Sequence, residues 1–268
     1  MTAIAVTIAG SDSGGGAGVQ ADLKAFSANG VYGASVLTAL TAQNTLGVST
    51  IHDVPPEFVR AQIDAVYSDL AVKATKIGML SRVDTIQALA EGLKAHATGP
   101  VVLDPVMVAA SGDPLLADSA VTTLMAELVP LADIITPNLH EAARMLETGL
   151  ASDEADMKAQ GEKLLGLGAK AVLIKGGHGE GAESADLLLT RDGTSRWLRD
   201  RRIDTGNTHG TGCTLSSTIA AGLAKGLSMD QAVADAKAYI QAAIAAADTL
   251  QIGSGHGPVH HFHGYWSK

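Results

Sequence analysis

The segment from Asp204 to Cys213 contains the residues of this chain that are best suited to chemistry. It ends in Gly210-Thr211-Gly212-Cys213, so two glycines bracket a threonine, and the only cysteine of the chain precedes a helical segment, Thr214 to Lys225. The first amide groups of a helix lack intrahelical partners and lie at the positive end of the helix dipole, which suits a phosphate or a transition-state oxyanion. The same field predicts a lowered pKa for Cys213, although a buried, inert cysteine is the commoner outcome for such a residue taken alone.

A second candidate group supplies oxygen ligands and a positive charge. Asn138 and Glu141 are three residues apart, which places them on one face of the first turn of a helix. Their oxygens form the sparse ligand set that Mg²⁺ takes when it bridges nucleotide phosphates, but the pair is equally typical of an N-cap with its capping box. Lys175 ends an apolar strand, where its charge either faces a phosphate or extends to the surface.

Two further segments do not match the motifs that they suggest at first sight. The run Gly10 to Gly18 follows a strand and opens a helix, but it lacks the G-x-G-x-x-G order, and the chain contains no G-x-x-x-x-G-K-[ST] phosphate loop. This disfavours a nicotinamide dehydrogenase and leaves a substrate-shaping flap or a plain tight turn. His260, His261 and His263 favour a surface or interface tail, because their spacing is not that of the usual structural metal sites.

The composition bounds the class of protein. A chain of 268 residues with 46% hydrophobic content can bury one large core, and we expect a single α/β domain over residues 1–268. The formal net charge of −9 argues against a nucleic-acid binder and against docking on an anionic membrane. The most apolar helical stretches are shorter than a membrane span, and one cysteine excludes an internal disulfide framework. With no signal-peptide pattern at the first residues, these features predict a cytoplasmic protein.

Strands and helices alternate along the whole chain. This order implies right-handed crossovers and a mostly parallel sheet with helices on both faces. Leu187–Thr190 and Thr194–Leu198 instead predict a hairpin at the edge of the sheet. The other predicted strands are Met1–Ala9, Ala34–Thr41, Ala74–Met79, Val101–Leu103, Ile134–Ile135 and Ala171–Ile174, and helices are predicted at Pro56–Leu70 and Asp84–Ala97.

Each polar or glycine-rich turn follows a predicted strand. In an open α/β sheet, ligands bind beyond the carboxyl ends of the strands. We therefore expect these turns to converge on one rim that forms the functional site. They are Gly10–Gly18, Gln43-Asn44, Gly78-Met79, Asp104–Met107, Asn138–Glu141, Lys175–His178 and Thr205–Cys213.

These segments resemble one protein family, in order and over nearly the full length. The opening Ala9 to Lys24 resembles the N-terminus of bacterial hydroxymethylpyrimidine/phosphomethylpyrimidine kinases, the thiamine-pathway members of the ribokinase-like superfamily. The resemblance implies a ribokinase-like three-layer α/β/α sandwich with a mostly parallel central sheet. One departure is Ser13-Gly14 in place of an expected proline-serine pair, which affects the stiffness of the flap more than the chemistry. The later similar blocks are Thr38–Thr45, Lys76–Leu80, Asp104–Met107, Thr136–Ala142, Lys175–His178, Asn207–Thr214 and Gly257–His263.

The resemblance also implies roles for particular residues. Cys213 stands where most sugar kinases of the superfamily carry an aspartate base. The implied anion hole consists of Gly210, Thr211 and Gly212. The implied pyrimidine contacts are Gly10, Asp22, Gln43, Met79 and Val106. The implied ATP contacts are Asn138, Lys175, Thr208 and His209, and the implied Mg²⁺ ligands are Asn138 and Glu141.

The implied activity is ATP-dependent phosphorylation of 4-amino-5-hydroxymethyl-2-methylpyrimidine and then of its monophosphate, with Mg²⁺. A pyridoxal kinase or a dual-specificity enzyme is the nearest alternative, since pyridoxal is a similar planar hydroxymethyl heteroaromatic. A catalytically silent binder of a vitamin precursor is the alternative from another class, and the joint presence of Cys213, Lys175 and Glu141 argues against it. The resemblance further suggests a homodimer that binds neither nucleic acid nor membrane.

Overall fold

Helices separate the strands that pair in parallel in the computed structural model, which describes residues 2–96, 99–108, 116–177 and 181–266. Met1, Ala97 and His178, which belong to predicted segments, lie outside the described residues. The strands are β1 (Ile4–Ala9), β2 (Tyr32–Leu37), β3 (Ala39–Asn44), β4 (Gly47–Asp53), β5 (Ala74–Ile77), β6 (Val101–Leu103), β7 (Ile134–Ile135), β8 (Ala171–Ile174), β9 (Glu183–Thr190) and β10 (Ser195–Arg201). The helices are α1 (Gly18–Ala28), α2 (Pro56–Asp69), α3 (Val83–His96), α4 (Asp118–Glu127), α5 (Leu139–Leu146), α6 (Glu154–Gly166), α7 (Thr211–Ala224) and α8 (Met229–Ala245), with 3₁₀ turns at Val129–Leu131 and Ala247–Thr249.

Eight of the strands form the central sheet, in the order β10-β9-β8-β7-β6-β5-β1-β2. All pairs from β8 to β2 are parallel, whereas β9 pairs antiparallel with both β8 and β10. The prediction of a mostly parallel sheet with a hairpin at one edge is therefore confirmed. The hairpin is longer than predicted, since its strands extend to Glu183 and Arg201.

Helices cover both faces of the sheet, and alternate strand residues are buried on each face. Val6 and Ile8 of β1 pack into the core formed with α2 to α6, whereas Ala5 packs into the core formed with α1, α7 and α8. Each fully buried aliphatic side chain of this kind contributes roughly 2 kcal/mol, so the double core holds the sheet and the loops at its carboxyl edge in place. Within the described ranges, no helix is long and apolar enough to cross a membrane.

One predicted strand is wrong in its extent. The segment Ala34–Thr41 divides at Thr38, so that β2 stays in the central sheet while β3 leaves it and pairs antiparallel with β4 in a second, two-stranded sheet. At the division, the Thr38 N–H donates to the Ala9 carbonyl at 3.0 Å and the Thr38 hydroxyl donates to the Met79 carbonyl at 2.9 Å. The strand β4 was not predicted, because its residues are largely polar and exposed and give no alternating apolar pattern.

Candidate active site

A cavity of about 770 Å³ opens at the carboxyl edge of the central sheet. Its wall is formed by the loops after β1, β5, β6 and β8, by the first turns of α5 and α7, and by the β3–β4 hairpin. The turns that were expected to converge therefore meet around one space. With the exception of Asp22, every predicted site residue lines it: Gly10, Gln43, Met79, Val106, Asn138, Glu141, Lys175, Thr208, His209, Gly210, Thr211, Gly212 and Cys213.

Gly210 and the first turn of α7 form a bare amide surface in this cavity. Gly210 has a φ of 79°, in the left-handed region that favours glycine, and a Cβ there would lie 1.9 Å from the carbonyl oxygen of Gly16. No side chain of the described residues caps the N-terminus of α7, and the Thr211 N–H donates to the Thr208 carbonyl at 3.2 Å, so the amides that follow it in the first turn can bind an anion. The helix begins at Thr211, three residues before the predicted start, which brings Cys213 inside its first turn.

Cys213 is half-buried in the floor of the cavity. The pKa of its thiol is raised to about 11, chiefly by burial; the Lys76 ammonium opposes this shift, and the Asp22 and Asp104 carboxylates add to it. The expectation of a lowered Cys213 pKa is therefore wrong, because the loss of hydration outweighs the lowering by Lys76 and by the Gly18 main chain. At neutral pH, Cys213 is a thiol.

Lys175 extends into the cavity rather than to the surface. Its Nζ lies 2.8 Å from Asp104 Oδ1 and 3.9 Å from Glu141 Oε2, and a Cβ on Gly212 would lie 3.3 Å from that Nζ. Burial raises the pKa of Asp104, but the Lys175 and Lys76 ammonium groups outweigh it and hold the pKa below its usual range. A buried cation therefore stands beside the anion hole, held by a carboxylate that was not among the predicted site residues.

Asn138 and Glu141 form the capping box of α5. The Glu141 N–H donates to Asn138 Oδ1 at 2.9 Å, and the Asn138 N–H donates to Glu141 Oε2 at 2.7 Å. The capping role and a metal-binding role are compatible, because the cap also places a carboxylate in the wall of the cavity. Burial raises the pKa of Glu141 to about 7, against the effect of Lys175.

The oxygens of this capping box fit a magnesium ion. A divalent cation favours the ionised form of a buried carboxyl group such as that of Glu141, and carboxylate and amide oxygens are ligands that Mg²⁺ accepts. In the described part of the chain, no group of three or more His, Cys, Asp or Glu side chains forms a cage for a metal ion. A cation at Glu141 would therefore depend on water and phosphate oxygens for the rest of its shell.

Gly10, Gln43 and Met79 lie together in another part of the wall. A Cβ on Gly10 would lie 2.5 Å from Met79 Cε, so the end of the thioether side chain packs directly against the glycine main chain. Gln43 Oε1 accepts a hydrogen bond from the Thr41 hydroxyl at 3.1 Å, which holds its amide in the cavity wall. With Val106, these residues present apolar surface beside one amide, an arrangement that suits a flat heteroaromatic ring with a polar edge.

Asp22 lies beneath the cavity instead of closing it, which contradicts its predicted place. Its fully buried carboxylate accepts hydrogen bonds from Lys76 Nζ at 2.9 Å, from the Ser217 hydroxyl at 2.6 Å and from the Thr7 hydroxyl at 2.6 Å. Lys76 is fully buried and borders the cavity, so Asp22 acts on the site through this lysine. Lys76 was missed by the sequence analysis. The available signal was a charged residue within the apolar strand Ala74–Ile77, since a buried charge requires a partner.

The histidines differ from their predicted places. His209 lines the cavity, but its ring Nε2 lies 2.8 Å from Asp12 Oδ2, in the first glycine-rich turn. His260 and His261 are buried, and His261 Nε2 lies 3.0 Å from the Thr214 hydroxyl. Burial lowers the pKa of His261 to about 3. The prediction that His260 and His261 belong to a surface or interface tail is therefore wrong, because both are buried within the chain itself.

Two solved kinase structures share this fold over almost the whole chain. The ADP complex of Bacillus subtilis pyridoxal kinase matches with a TM-score of 0.89 and 37% identity, covering 97% of this chain and 98% of that one. The phosphomethylpyrimidine kinase of Clostridium difficile 630 matches with a TM-score of 0.80 and 44% identity, covering 90% of this chain and 99% of that one. The fold is that of ribokinase-like kinases, as predicted.

The sequence comparison narrows this class to one family. The family model described as phosphomethylpyrimidine kinase matches residues 12–260. The hydroxymethylpyrimidine/phosphomethylpyrimidine kinase of Rhizobium meliloti is 61% identical over 266 residues, which cover 99% of each chain. This chain belongs to the phosphomethylpyrimidine kinase family.

Proposed function

We propose that this chain is an ATP-dependent kinase that phosphorylates 4-amino-5-hydroxymethyl-2-methylpyrimidine and then its monophosphate, in thiamine biosynthesis. The observation that carries the proposal is one cavity that contains an amide anion hole, the buried Lys175 and the wall formed by Gln43 and Met79. Family membership and 61% identity to the Rhizobium meliloti kinase support the same substrate.

The terminal phosphates of ATP bind between Lys175 and the amides of the first turn of α7. The Lys175 ammonium lies beside Gly212, where it balances the charge of the phosphoryl oxygens. The oxygens of Asn138 and Glu141 would hold Mg²⁺, which would supply positive charge against the phosphates. A cation there would favour the ionised form of Glu141, whose pKa burial raises to about 7.

Catalysis rests on alignment and charge stabilisation by the chain's own residues. The amides at the N-terminus of α7 bind the oxygens of the transferring phosphoryl group, and the helix dipole stabilises their charge. The substrate hydroxymethyl group lies beside Cys213, whose thiolate form accepts the hydroxyl proton. This form is a minor one at neutral pH, but a loose transition state requires only modest assistance from a base.

Pyridoxal is the second candidate substrate. The structural match is closer to the Bacillus subtilis pyridoxal kinase than to the Clostridium difficile enzyme, with TM-scores of 0.89 and 0.80. Sequence identity favours the pyrimidine, at 37% for the former and 44% for the latter. The two substrates differ at the ring edge that Gln43 borders, so this amide is the residue expected to discriminate between them.

Mass spectrometry of the products decides between these activities. The purified chain is incubated with ATP and Mg²⁺, and hydroxymethylpyrimidine and pyridoxal are supplied in separate reactions. We expect the pyrimidine to be converted to its monophosphate and then to its diphosphate. Pyridoxal phosphate as the sole product would assign the chain to vitamin B6 salvage, and no turnover of either substrate would favour a silent binder.

A homodimer in the cytoplasm completes the proposal. The exposed apolar side chains of Leu40, Leu46 and Ile51 on the β3–β4 hairpin support an association surface. Sedimentation of the purified chain over a range of concentrations tests the dimer, and a monomer at every concentration would contradict it.

A further inference from the structure

Two glycine-rich loops from opposite ends of the chain interlock beside the cavity. One is the turn Gly10–Gly18, and the other is the segment that ends at Gly210. A Cβ on Gly16 would lie 2.4 Å from His209 Cδ2, and a Cβ on Gly210 would lie 1.9 Å from the Gly16 carbonyl oxygen. The loops are therefore in direct contact, and neither can move toward the other without displacing it.

One carboxylate joins these loops. Asp12 accepts hydrogen bonds from the N–H groups of Gly14, Gly16 and Ala17 at 2.8 to 3.0 Å, and Asp12 Oδ2 also lies 2.8 Å from His209 Nε2. Asp12 and His209 are 2% and 8% exposed. Burial raises the pKa of Asp12, but the hydrogen bonds from His209 and from the turn lower it below its usual range. The same ionised group therefore shapes the glycine turn and holds the histidine that precedes the anion hole.

The glycine turn is also tied to the residue that borders the predicted ring site. The Ser13 hydroxyl donates to the Gln43 carbonyl at 2.7 Å and accepts from the Gln43 N–H at 2.8 Å. Thr41, two residues earlier on the same strand, donates from its main-chain N–H to the Ser11 hydroxyl at 3.2 Å. Ser13 stands where a proline is expected, and a proline has no hydroxyl for these two bonds.

A second connection reaches His209 through its main chain. The His209 N–H donates to the Gly257 carbonyl at 3.0 Å, and the Val259 N–H donates to the His209 carbonyl at 3.2 Å. The same C-terminal segment reaches the turn of the β3–β4 hairpin, where the His256 N–H donates to the Thr45 carbonyl at 2.9 Å. His209 is therefore the residue at which both connections from the hairpin meet, directly before Gly210.

We infer that His209, held by Asp12, is a positioning residue that couples occupation of the pyrimidine end of the cavity to the geometry of the anion hole. A ring bound against Gln43 holds the hairpin, the hairpin holds the glycine turn and the C-terminal segment, and both hold His209. This coupling rests on the proposed function, because its two ligands are ATP and the pyrimidine. By linkage, each ligand then strengthens the binding of the other by the same factor.

Calorimetric binding of a non-hydrolysable ATP analogue with Mg²⁺, with and without saturating hydroxymethylpyrimidine, measures this coupling. In the wild-type chain, we expect the pyrimidine to strengthen analogue binding by at least about fivefold, the lower end of typical coupling. His209→Leu is expected to reduce this factor to about one, while the affinity for the pyrimidine alone changes little. His209→Gln retains an N–H donor near the position of Nε2 and is expected to restore most of the coupling.

A second His–Asp pair provides the matched control. His96 Nε2 lies 2.7 Å from Asp64 Oδ1, between α3 and α2, and neither residue lines the cavity. His96→Leu removes the same kind of contact and is expected to leave the coupling factor at its wild-type value. If the leucine substitutions acted only on stability, both variants would unfold at a lower temperature and would have the same coupling factor.

Three results would overturn the coupling: a wild-type factor of one, an unchanged factor in His209→Leu, or equal losses in the two leucine variants. If His209→Leu does not fold, Asp12→Asn replaces it, with the same expected loss. The proposed function fails by a different result, namely the absence of phosphorylated pyrimidine from wild-type reactions.

Discussion

The floor of the cavity and its rim are stabilised by different kinds of contact. The floor consists of Lys76, Asp104, Lys175 and Cys213, with Asp22 directly beneath it, and its charged groups form largely buried pairs between distant parts of the chain. Lys76 and Asp22 are 0% exposed, for example, and lie 54 positions apart. The rim is the β3–β4 hairpin, Ala39–Asp53, whose tip residue Leu46 is 68% exposed and which is held largely by main-chain and serine hydrogen bonds.

Substitutions in the floor and in the rim should therefore have different consequences. A buried ion pair is costly to disturb, because removal of one partner leaves an uncompensated charge in a medium of low polarity. A hydrogen bond at a partly exposed site can be replaced by water, so its loss costs less. We therefore expect floor substitutions to abolish folding or turnover, and rim substitutions to change substrate affinity.

The largest effect is expected from Lys76→Met. This change leaves the Asp22 carboxylate buried without its cation and is expected to lower the free energy of unfolding by about 3–5 kcal/mol, measured by urea denaturation. Lys94→Met is the control, since Lys94 forms an exposed pair with Glu127 at 3.0 Å and should have a far smaller effect. The double variant Lys76→Met, Asp22→Asn should recover part of the loss. Equal effects of the two single lysine variants would contradict the distinction between floor and surface.

Gly210→Ala is expected to lower kcat by about 10²- to 10³-fold, the effect of losing an oxyanion donor. The added Cβ would meet the Gly16 carbonyl at 1.9 Å, and the φ of 79° is unfavourable for alanine, so the amides of the anion hole must move. Gly206→Ala in the same loop is the control, because a Cβ there meets no atom within 4 Å. Steady-state kinetics of both variants provide the test. A kcat of Gly210→Ala close to that of the control would show that the amide positions do not matter.

Cys213→Ala is expected to lower kcat by about 10²-fold, the lower end for a general base, with little change in the KM for the pyrimidine. Because the pKa of this thiol is raised to about 11, its thiolate fraction increases with pH up to that value. The wild-type kcat should therefore rise between pH 7 and 10, whereas that of Cys213→Ala should stay flat. Parallel pH profiles, or equal small changes in kcat and KM, would exclude Cys213 as the base.

The smallest effect is expected from Ser13→Ala at the rim. This change removes the two hydrogen bonds to the Gln43 main chain, each worth about 1 kcal/mol, and should raise the KM for the pyrimidine by up to about tenfold. The free energy of unfolding should fall by at most about 2 kcal/mol, less than in Lys76→Met. Ser49→Ala is the control, because the Ser49 hydroxyl donates to the Ala42 carbonyl on the same hairpin rather than bonding to the main chain of Gln43. An equal rise in the KM for the pyrimidine in the two variants would contradict a specific role for the hydrogen bonds between Ser13 and Gln43.

Much of the fold was predictable from local sequence. Short apolar runs gave the strands of the central sheet, because a strand buried on both faces needs no alternating pattern. The exposed strand β4 was missed for the opposite reason, since its segment Gly47–Asp53 has no apolar pattern to distinguish it from a loop. At the site, the capping box of Asn138 and Glu141 and the glycine turn at Gly210 were recognisable, because both depend on residues within one turn of a helix.

The sequence by itself determined the alternation of elements, the loops at the carboxyl edge of the sheet, and the family. Only the tertiary structure decided that Asp12 holds His209 and that Asp22 holds Lys76, because these partners are brought together by packing and not by spacing. It also decided the state of Cys213, whose pKa reflects burial and the charges of three distant residues as well as its helix. Short-range geometry is encoded in neighbouring residues, whereas burial and electrostatic fields are properties of the assembled chain.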